Sequence, residues 1–187
     1  VRGICEAAPD AVIVVDEAYA EFRREGTPSA LSLLDHHRNL AVTRTMSKAF
    51  AFAGGRLGYL ASSAALVDVL RVVRLPYHLS AVTQAVARAA LANADELLER
   101  VNDLRKLRDL TVDWLREHRF EVADSDANFV LFGRFSDRHA VWQGVLDRGV
   151  LIREVGPDGW LRVSVGTPAE MEAFGEALLA VLDEEGT

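Results

Sequence analysis

Cysteine is nearly absent from this sequence, which excludes a disulfide framework within the chain. Cys5 is the single cysteine, so we expect a reducing compartment and a cytoplasmic location. Long apolar runs are also missing, and no stretch approaches the roughly 18–20 residues that a membrane-spanning helix needs. The first residues, 1–6, lack the basic and apolar regions of a signal peptide and have no initiator Met. We interpret this start as a cut through a longer protein. From the missing apolar runs we expect no membrane partner.

Positive charge is scarce and dispersed. The formal net charge is −7, and the 21 basic residues form no basic run. A nucleic-acid-binding surface is usually a dense basic patch, so we expect no nucleic-acid partner. The histidines, the cysteine and the carboxylates show no metal-ligand spacing, so we expect no metal site.

Lysine is the scarcest of the basic residues, and this makes Lys48 informative. Only two of the 21 basic residues are lysines. Lys48 lies among small and aromatic residues, in Ser47-Lys48-Ala-Phe-Ala-Phe-Ala-Gly-Gly-Arg56. An amine can lose its proton and attack a carbonyl carbon, whereas a guanidinium cannot. The alternative is an ordinary solvated lysine. The scarcity and the surroundings favour Schiff-base chemistry.

The pattern of apolar residues predicts an α/β fold in two regions. In the first region, short β-branched runs predict strands over 11–15, 40–45 and 57–61, the first of them buried on both faces. Helices are predicted over 63–74, with Ser63 as the expected N-cap, over 80–93, and over 95–118, the last of them long and amphipathic. Beyond it, strands are predicted over 120–122, 128–132, 149–155 and 160–165, with helices over 137–148 and 168–184; Thr167 is the expected N-cap of the last helix.

Two polar clusters follow predicted strands, where ligands bind in open α/β sheets. Asp16 directly follows the first strand, and Tyr19 comes three residues later. A carboxylate there can hold a cationic ring nitrogen, although an aspartate at a strand end also caps turns. Ser47 and its neighbouring amides can bind phosphate after the second strand, and Arg56 can add a bidentate clamp.

In order, these residues resemble the fold-type I, class II aminotransferases that depend on pyridoxal phosphate, in particular the histidinol-phosphate aminotransferase branch. The matching stretches are Val-Val-Asp16-Glu-Ala-Tyr19-Ala-Glu-Phe, Arg44-Thr-Met-Ser-Lys48-Ala-Phe-Ala-Phe-Ala-Gly-Gly-Arg56-Leu-Gly-Tyr59, Leu75-Pro-Tyr-His-Leu-Ser80, Ser125-Asp-Ala-Asn128-Phe and Leu161-Arg162-Val-Ser-Val-Gly166-Thr. A single Ser-Lys pair is weak support, but this ordered set runs nearly from end to end.

The resemblance implies a role for each matching residue. Lys48 would carry pyridoxal 5'-phosphate as a Schiff base and move the substrate proton, and Asp16 would pair with the ring nitrogen of the cofactor. Tyr19 would hydrogen-bond its 3'-oxygen. The implied phosphate ligands are Ser47, Arg56 and, more weakly, Thr45. Arg162, with Arg153 as its companion, would bind the substrate carboxylate or phosphate; by spacing alone Arg162 also reads as a surface cation at a strand edge.

The family's size and architecture imply the domain organisation. Family members are about twice as long, so we expect this chain to be the C-terminal half. Residues 1–95 would form part of the cofactor-binding large domain, which has a mainly parallel sheet. Residues 96–118 would be a connecting helix, and 119–187 a small α+β domain.

The implied function is transamination between histidinol phosphate and 2-oxoglutarate in histidine biosynthesis. Its partners would be a small-molecule amino donor, a 2-oxo acid and a second copy in a homodimer. Two alternatives stay open at this point. One is an aromatic amino-acid aminotransferase with the same catalytic residues, and the other is a truncated, inactive fragment.

Overall fold

The computed structural model describes residues 1–185 and divides the chain into two compact units, residues 1–99 and 100–187. The first unit contains a three-stranded sheet in the order β1-β2-β3. Its helices and strands are α1 (Arg2–Ala7), β1 (Ile13–Asp16), β2 (Leu40–Thr45), β3 (Gly58–Ser62), α2 (Ala64–Val73) and α3 (Ala81–Ala92). The three predicted strands and the helices predicted over 63–74 and 80–93 are thus confirmed, and their observed ends differ from the predicted ones by no more than two residues.

The sheet of the first unit is mixed. β1 and β2 are parallel, with Asp16 in register with Thr43, whereas β2 and β3 are antiparallel and form a hairpin. Leu40 and Val42 on β2 are completely buried and pack with Cys5 and Ala30 in a small core. Because the parallel strands end at the same edge, the segments that follow β1 and β2 emerge side by side.

The second unit is built on an antiparallel sheet. Its elements are α4 (Ala94–Glu117, which begins in the first unit), β4 (Glu121–Val122), β5 (Phe129–Gly133), α5 (Arg138–Asp147), β6 (Trp160–Ser164) and α6 (Pro168–Glu185). The strand order is β4-β5-β6. The core lies between the sheet and the helices, where Phe132, Leu115, Phe174 and Leu178 are almost completely buried.

Local capping explains where two helices, α3 and α6, begin. Ser80 Oγ accepts from the Thr83 amide at 3.0 Å at the start of α3. At α6, the Thr167 amide donates to Glu170 Oε2 at 2.6 Å and the Glu170 amide donates to Thr167 Oγ1 at 3.3 Å. This reciprocal pair satisfies two amides that lack helical partners, and it confirms the predicted cap.

Three sequence-based expectations are wrong. Residues 149–155 form no strand; a single bridge joins Arg153 to Arg162, and glycines with positive φ stand at 149 (+84°) and 156 (+111°). Ser63 precedes α2 but makes no side-chain cap, because its hydroxyl donates to the Arg38 carbonyl. The first strand is not buried on both faces, since Val14 is 60% exposed.

None of the helices within residues 1–185 combines the length and the apolar character that a membrane crossing requires.

Candidate functional site

The carboxyl ends of β1 and β2 bring together most of the predicted cofactor ligands of the first unit. The amide of Glu17 donates to the Thr43 carbonyl at 2.8 Å, which continues the parallel pairing one residue beyond Asp16. The chain after β1 therefore starts level with the last residues of β2. Asp16 and Tyr19 follow the first strand, and Thr45, Ser47 and Lys48 lie at or just after the end of the second.

Asp16 is exposed at this edge, and only one of its carboxylate oxygens bonds to the neighbouring backbone. Its Oδ1 accepts from the Ala18 amide at 3.0 Å, which is the turn-capping role that the sequence left open as an alternative. Its other carboxylate oxygen accepts no hydrogen bond from any residue in the described part of the chain. The side chain can therefore cap the turn and still receive a second donor, such as a protonated ring nitrogen.

Lys48 lies beside Tyr19. Its Nζ is 5.4 Å from the centre of the Tyr19 ring, a separation typical of a cation–π contact. The side chain is exposed, and among residues 1–185 no carboxylate forms an ion pair with it. The exposed Nζ next to this phenol is therefore accessible to a carbonyl carbon of a ligand.

Thr45, Ser47 and Arg56 lie around the hairpin between β2 and β3. The Thr45 hydroxyl donates to Ser47 Oγ at 2.9 Å and accepts from the Ser47 amide at 3.1 Å. The Met46 amide donates to the Leu57 carbonyl at 3.0 Å, so the residues next to this pair, Ser47 and Arg56, flank the closed end of the hairpin. The loop thus presents two hydroxyls together with a cation, as a phosphate site requires.

Arg56 has an unusual backbone and an open side chain. Its φ of +49° is left-handed, and it ends a short 3-10 turn over Ala53–Gly55. The guanidinium is exposed, and its NH1 donates to the carbonyl of Ala53 at 3.1 Å. Since a guanidinium has five donors, several stay available for an anion.

Arg153 and Arg162 form a pair in the second unit. Each donates its amide to the carbonyl of the other at 2.9 Å. Directly opposite residues of an antiparallel pair project their side chains to the same face, so two cations stand as neighbours. Neither makes an ion pair with any described residue, and adjacent like charges favour binding an anion between them.

The guanidinium of Arg162 packs on an aromatic ring, and at least one of its nitrogen donors has no hydrogen-bond partner within the described chain. Its guanidinium carbon lies 4.7 Å from the centre of the Phe129 ring. Its Nε is buried and has no hydrogen-bond partner within the described chain. A buried donor without a partner costs about 1–3 kcal/mol, a cost that a bound carboxylate would remove. This observation counts against the alternative of an ordinary surface cation.

Sequence reasoning missed a charged cluster on the same edge of the first sheet. Glu17 Oε2 accepts from Arg44 NH2 at 2.8 Å and from Arg44 Nε at 3.1 Å. Ser29 donates to both oxygens of Glu17, at 2.9 and 2.8 Å. The available signal was the position of Glu17 and Arg44 next to the predicted ligands, but only the strand pairing brings them together.

Burial and hydrogen bonding act in opposite directions on this cluster. Burial alone raises the pKa of Glu17, but hydrogen bonds from Ser29, Arg44 and the Ala30 amide outweigh it, with a further contribution from the charge of Arg44. The net pKa of Glu17 lies below its usual value. The carboxylate is therefore held in its charged form beside Arg44.

Comparison with known proteins identifies close relatives over almost the whole chain. The profile of the family described as aminotransferase class I and II matches residues 2–178. The histidinol-phosphate aminotransferase of Thermobifida fusca is 72% identical over 179 residues, which cover 96% of this chain and 48% of that protein. Histidinol-phosphate aminotransferase 3 of Burkholderia lata is 62% identical over 182 residues, or 97% of this chain and 49% of that protein.

A solved structure has a similar backbone. Histidinol-phosphate aminotransferase from Sinorhizobium meliloti, in complex with pyridoxal-5'-phosphate, superposes with a TM-score of 0.81 at 26% identity, covering 98% of this chain and 53% of that one. The chain thus spans about half the length of the curated relatives it matches. The expectation that it corresponds to the C-terminal half of such a protein is not supported by these matches.

Proposed function

Because the chain belongs to the aminotransferase class I and II family, we propose that the full-length protein transfers an amino group between histidinol phosphate and 2-oxoglutarate. The chain has the α/β fold of the fold-type I aminotransferases, a family that depends on pyridoxal phosphate. The substrate assignment is supported by relatives up to 72% identical that carry the name histidinol-phosphate aminotransferase. The observation that carries the chemistry is Lys48, whose amine lies 5.4 Å from the centre of the Tyr19 ring and has no ion-pair partner among residues 1–185.

The residues at the strand ends fit pyridoxal phosphate in their donors and acceptors. Asp16 offers an open carboxylate oxygen for the ring nitrogen, and Tyr19 offers a phenol for the 3'-oxygen. Ser47 and Arg56 offer a hydroxyl and a guanidinium for the phosphate, with the Thr45 hydroxyl next to Ser47. When bound, pyridoxal phosphate supplies an electron sink for the negative charge that develops at the substrate α-carbon.

The chain's own groups then bind substrate and move the proton. Lys48 Nζ, once released as a free amine, would accept the proton of the substrate α-carbon and deliver it to the cofactor carbon that had carried the imine, since a primary amine near a substrate can act as a general base and then as a general acid. Arg162 and Arg153 bind the substrate carboxylate or phosphate through their guanidinium groups. A planar fork suits both anions, which have two accessible oxygens in a similar arrangement.

The proposal extends to the organisation of the full-length protein. We propose residues 1–95 as part of the cofactor-binding domain, 96–118 as the connecting helix and 119–187 as a small substrate-binding domain. A homodimer and a cytoplasmic location complete the proposal; the single cysteine, which is buried and free, supports a reducing compartment.

Titration of the full-length protein with pyridoxal phosphate tests the assignment of Lys48. We expect a new absorbance band on binding that Lys48→Ala abolishes. The other lysine provides a matched control, because Lys106 is exposed and pairs with Asp103 on its own helix; Lys106→Ala should keep the band. A band that survives Lys48→Ala would refute the role of Lys48.

Comparison of amino donors tests the substrate. With 2-oxoglutarate as acceptor, histidinol phosphate should be used with a much higher kcat/KM than phenylalanine. Preference for phenylalanine would instead assign the protein to the aromatic aminotransferases. The same assay on the 187-residue chain alone reports whether this portion is active without the rest of the protein.

A further inference from the structure

The Glu17–Arg44 cluster joins several polar groups of the first unit. Glu17 accepts from Ser29 Oγ, from the Ala30 amide at 2.7 Å and from two nitrogens of Arg44. Arg44 NH2 also donates to Ser29 Oγ at 3.1 Å, and its NH1 lies 3.6 Å from Glu21 Oε1. No residue of the proposed cofactor site takes part in these bonds, so the chemistry of that site does not account for the cluster.

The cluster connects the two segments that carry the proposed cofactor ligands. Glu17 directly follows Asp16, and Arg44 precedes Lys48 by four residues on the neighbouring strand. Beyond the end of β1, the Glu17 amide donates to the Thr43 carbonyl at 2.8 Å, and this is the one backbone hydrogen bond between the two segments within the described residues. Past that point, the side-chain bridge from Glu17 to Arg44 joins the two segments by hydrogen bonds, beside the contact between Lys48 and the Tyr19 ring.

The bridge is partly shielded from solvent, so it is stronger than an ordinary surface ion pair. The side chains of Glu17, Glu21 and Arg44 are only 13–15% exposed. Two adjacent bonds join one carboxylate oxygen to one guanidinium, which fixes orientation as well as distance. Tyr59 lies opposite Arg44 on β3. Burial lowers the pKa of Arg44, but Glu17 and Tyr59 outweigh burial, so the net pKa of Arg44 is raised.

We propose that Glu17 and Arg44 are positioning residues, which hold Asp16 and Lys48 at the separation that the cofactor requires. This inference rests on the proposed function. Neither residue touches the reacting atoms in this role. Their loss lets the segment after β1 move relative to the segment after β2, so Asp16 and Lys48 no longer reach the cofactor at the same time.

The role predicts a specific spectroscopic change in the full-length protein with pyridoxal phosphate bound. If Asp16 moves away from the ring nitrogen, the ring loses positive charge, and the nitrogen that joins Lys48 to the cofactor keeps its proton to higher pH. Arg44→Met should therefore raise the pH midpoint of the absorbance band by roughly one unit, the scale on which a neighbouring charge shifts a pKa. Cofactor affinity should fall about tenfold, as is common when a residue that orients a ligand group is lost.

Three further variants separate positioning from simple stabilisation. Glu17→Gln should shift the midpoint in the same direction, because the amide keeps the volume but loses the charge. Arg44→Lys keeps the charge but loses the planar guanidinium. Its pH midpoint should therefore lie between those of the wild type and Arg44→Met. Arg71→Met is the control: Arg71 also pairs with a carboxylate, Asp68, but on the exposed face of α2, so its midpoint should equal that of the wild type.

Each outcome decides the inference. If Arg44→Met and Glu17→Gln lower the melting temperature but keep the wild-type midpoint and cofactor affinity, the pair is merely structural and the inference is overturned. If Arg44→Met fails to fold, Glu17→Gln and Arg44→Lys decide by the same two measurements. If the wild-type protein shows no band that depends on Lys48, the proposed function itself fails, which is a different result from an unshifted band.

Discussion

Substitution of Arg162 by Met separates substrate binding from fold stability. The guanidinium lies 4.7 Å from the Phe129 ring centre, and its Nε is buried without a hydrogen-bond partner in the described chain. Met retains much of the length and apolar surface of the side chain but removes the charge and every donor. The change therefore tests what the guanidinium is for.

The expected loss of stability is small, because two effects of Arg162 oppose each other. Loss of the cation–π contact costs about 0.5–2 kcal/mol. Removal of a buried donor without a partner recovers about 1–3 kcal/mol. The free energy of unfolding should therefore fall by no more than about 1 kcal/mol, and it can rise by up to about 2.5 kcal/mol.

The expected loss of binding is large. A guanidinium that binds a carboxylate through two charge-assisted hydrogen bonds contributes about 1.5–3 kcal/mol for each bond. Even the lower value gives about 3 kcal/mol for the pair, which corresponds to a loss of affinity on the order of 100-fold. The same loss is expected for every substrate that presents a carboxylate to Arg162.

Two measurements on the full-length protein check this prediction. Calorimetry with 2-oxoglutarate on the cofactor-loaded protein gives the affinity, and urea unfolding of the cofactor-free protein gives the stability. Arg134→Met is the control, since Arg134 is 67% exposed and pairs with Glu121; it should change neither quantity much. An affinity of Arg162→Met within twofold of the wild type, or a stability loss above about 2 kcal/mol, would show that Arg162 is a structural cation.

Three further changes test packing, backbone and capping. Phe132→Ala removes a fully buried ring and should cost about 3–5 kcal/mol in urea unfolding, whereas Leu110→Ala, at a 64% exposed position, should cost under about 1 kcal/mol; equal costs would refute the assigned core. Gly58→Ala places a Cβ 2.7 Å from a backbone oxygen of the paired strand, so it should lower the melting temperature by several degrees, and an unchanged value would contradict the close approach. The hydrogen bond from the Thr167 amide lowers the pKa of Glu170. The contribution of this carboxylate to stability is therefore present at neutral pH and is lost as the pH falls through the lowered pKa. Glu170→Gln should make acid unfolding less dependent on pH, and an unchanged pH profile of unfolding would contradict this assignment.

Much of the fold was predictable because it depends on local patterns. Residues 40–45 form a strand because their β-branched, apolar composition and their burial both favour one. The cap of α6 depends on Thr167 and Glu170, which are only three positions apart. Residues 149–155 show where this reasoning fails. Their apolar residues suit a strand, but a strand also needs a neighbour along its length, and only Arg153 finds one.

In the candidate site, too, residues within short motifs were predicted, whereas partners that are distant in sequence were missed. Lys48, Asp16, Tyr19 and Ser47 were predicted from short motifs, and the structure brings the strand ends that carry them side by side. Their roles stay predictions. Glu17 and Arg44 escaped prediction because 27 positions separate them in sequence, and only the register of two parallel strands makes them partners.

The covalent attachment of pyridoxal phosphate to Lys48 is the central claim, and chemical trapping tests it most directly. The full-length protein is loaded with the cofactor, reduced with borohydride and digested, and the modified peptide is located by mass spectrometry. The account predicts the label on Lys48, its loss in Lys48→Arg and its retention in Lys106→Arg. A label on Lys106 or on any other residue, with Lys48 unmodified, would contradict the account.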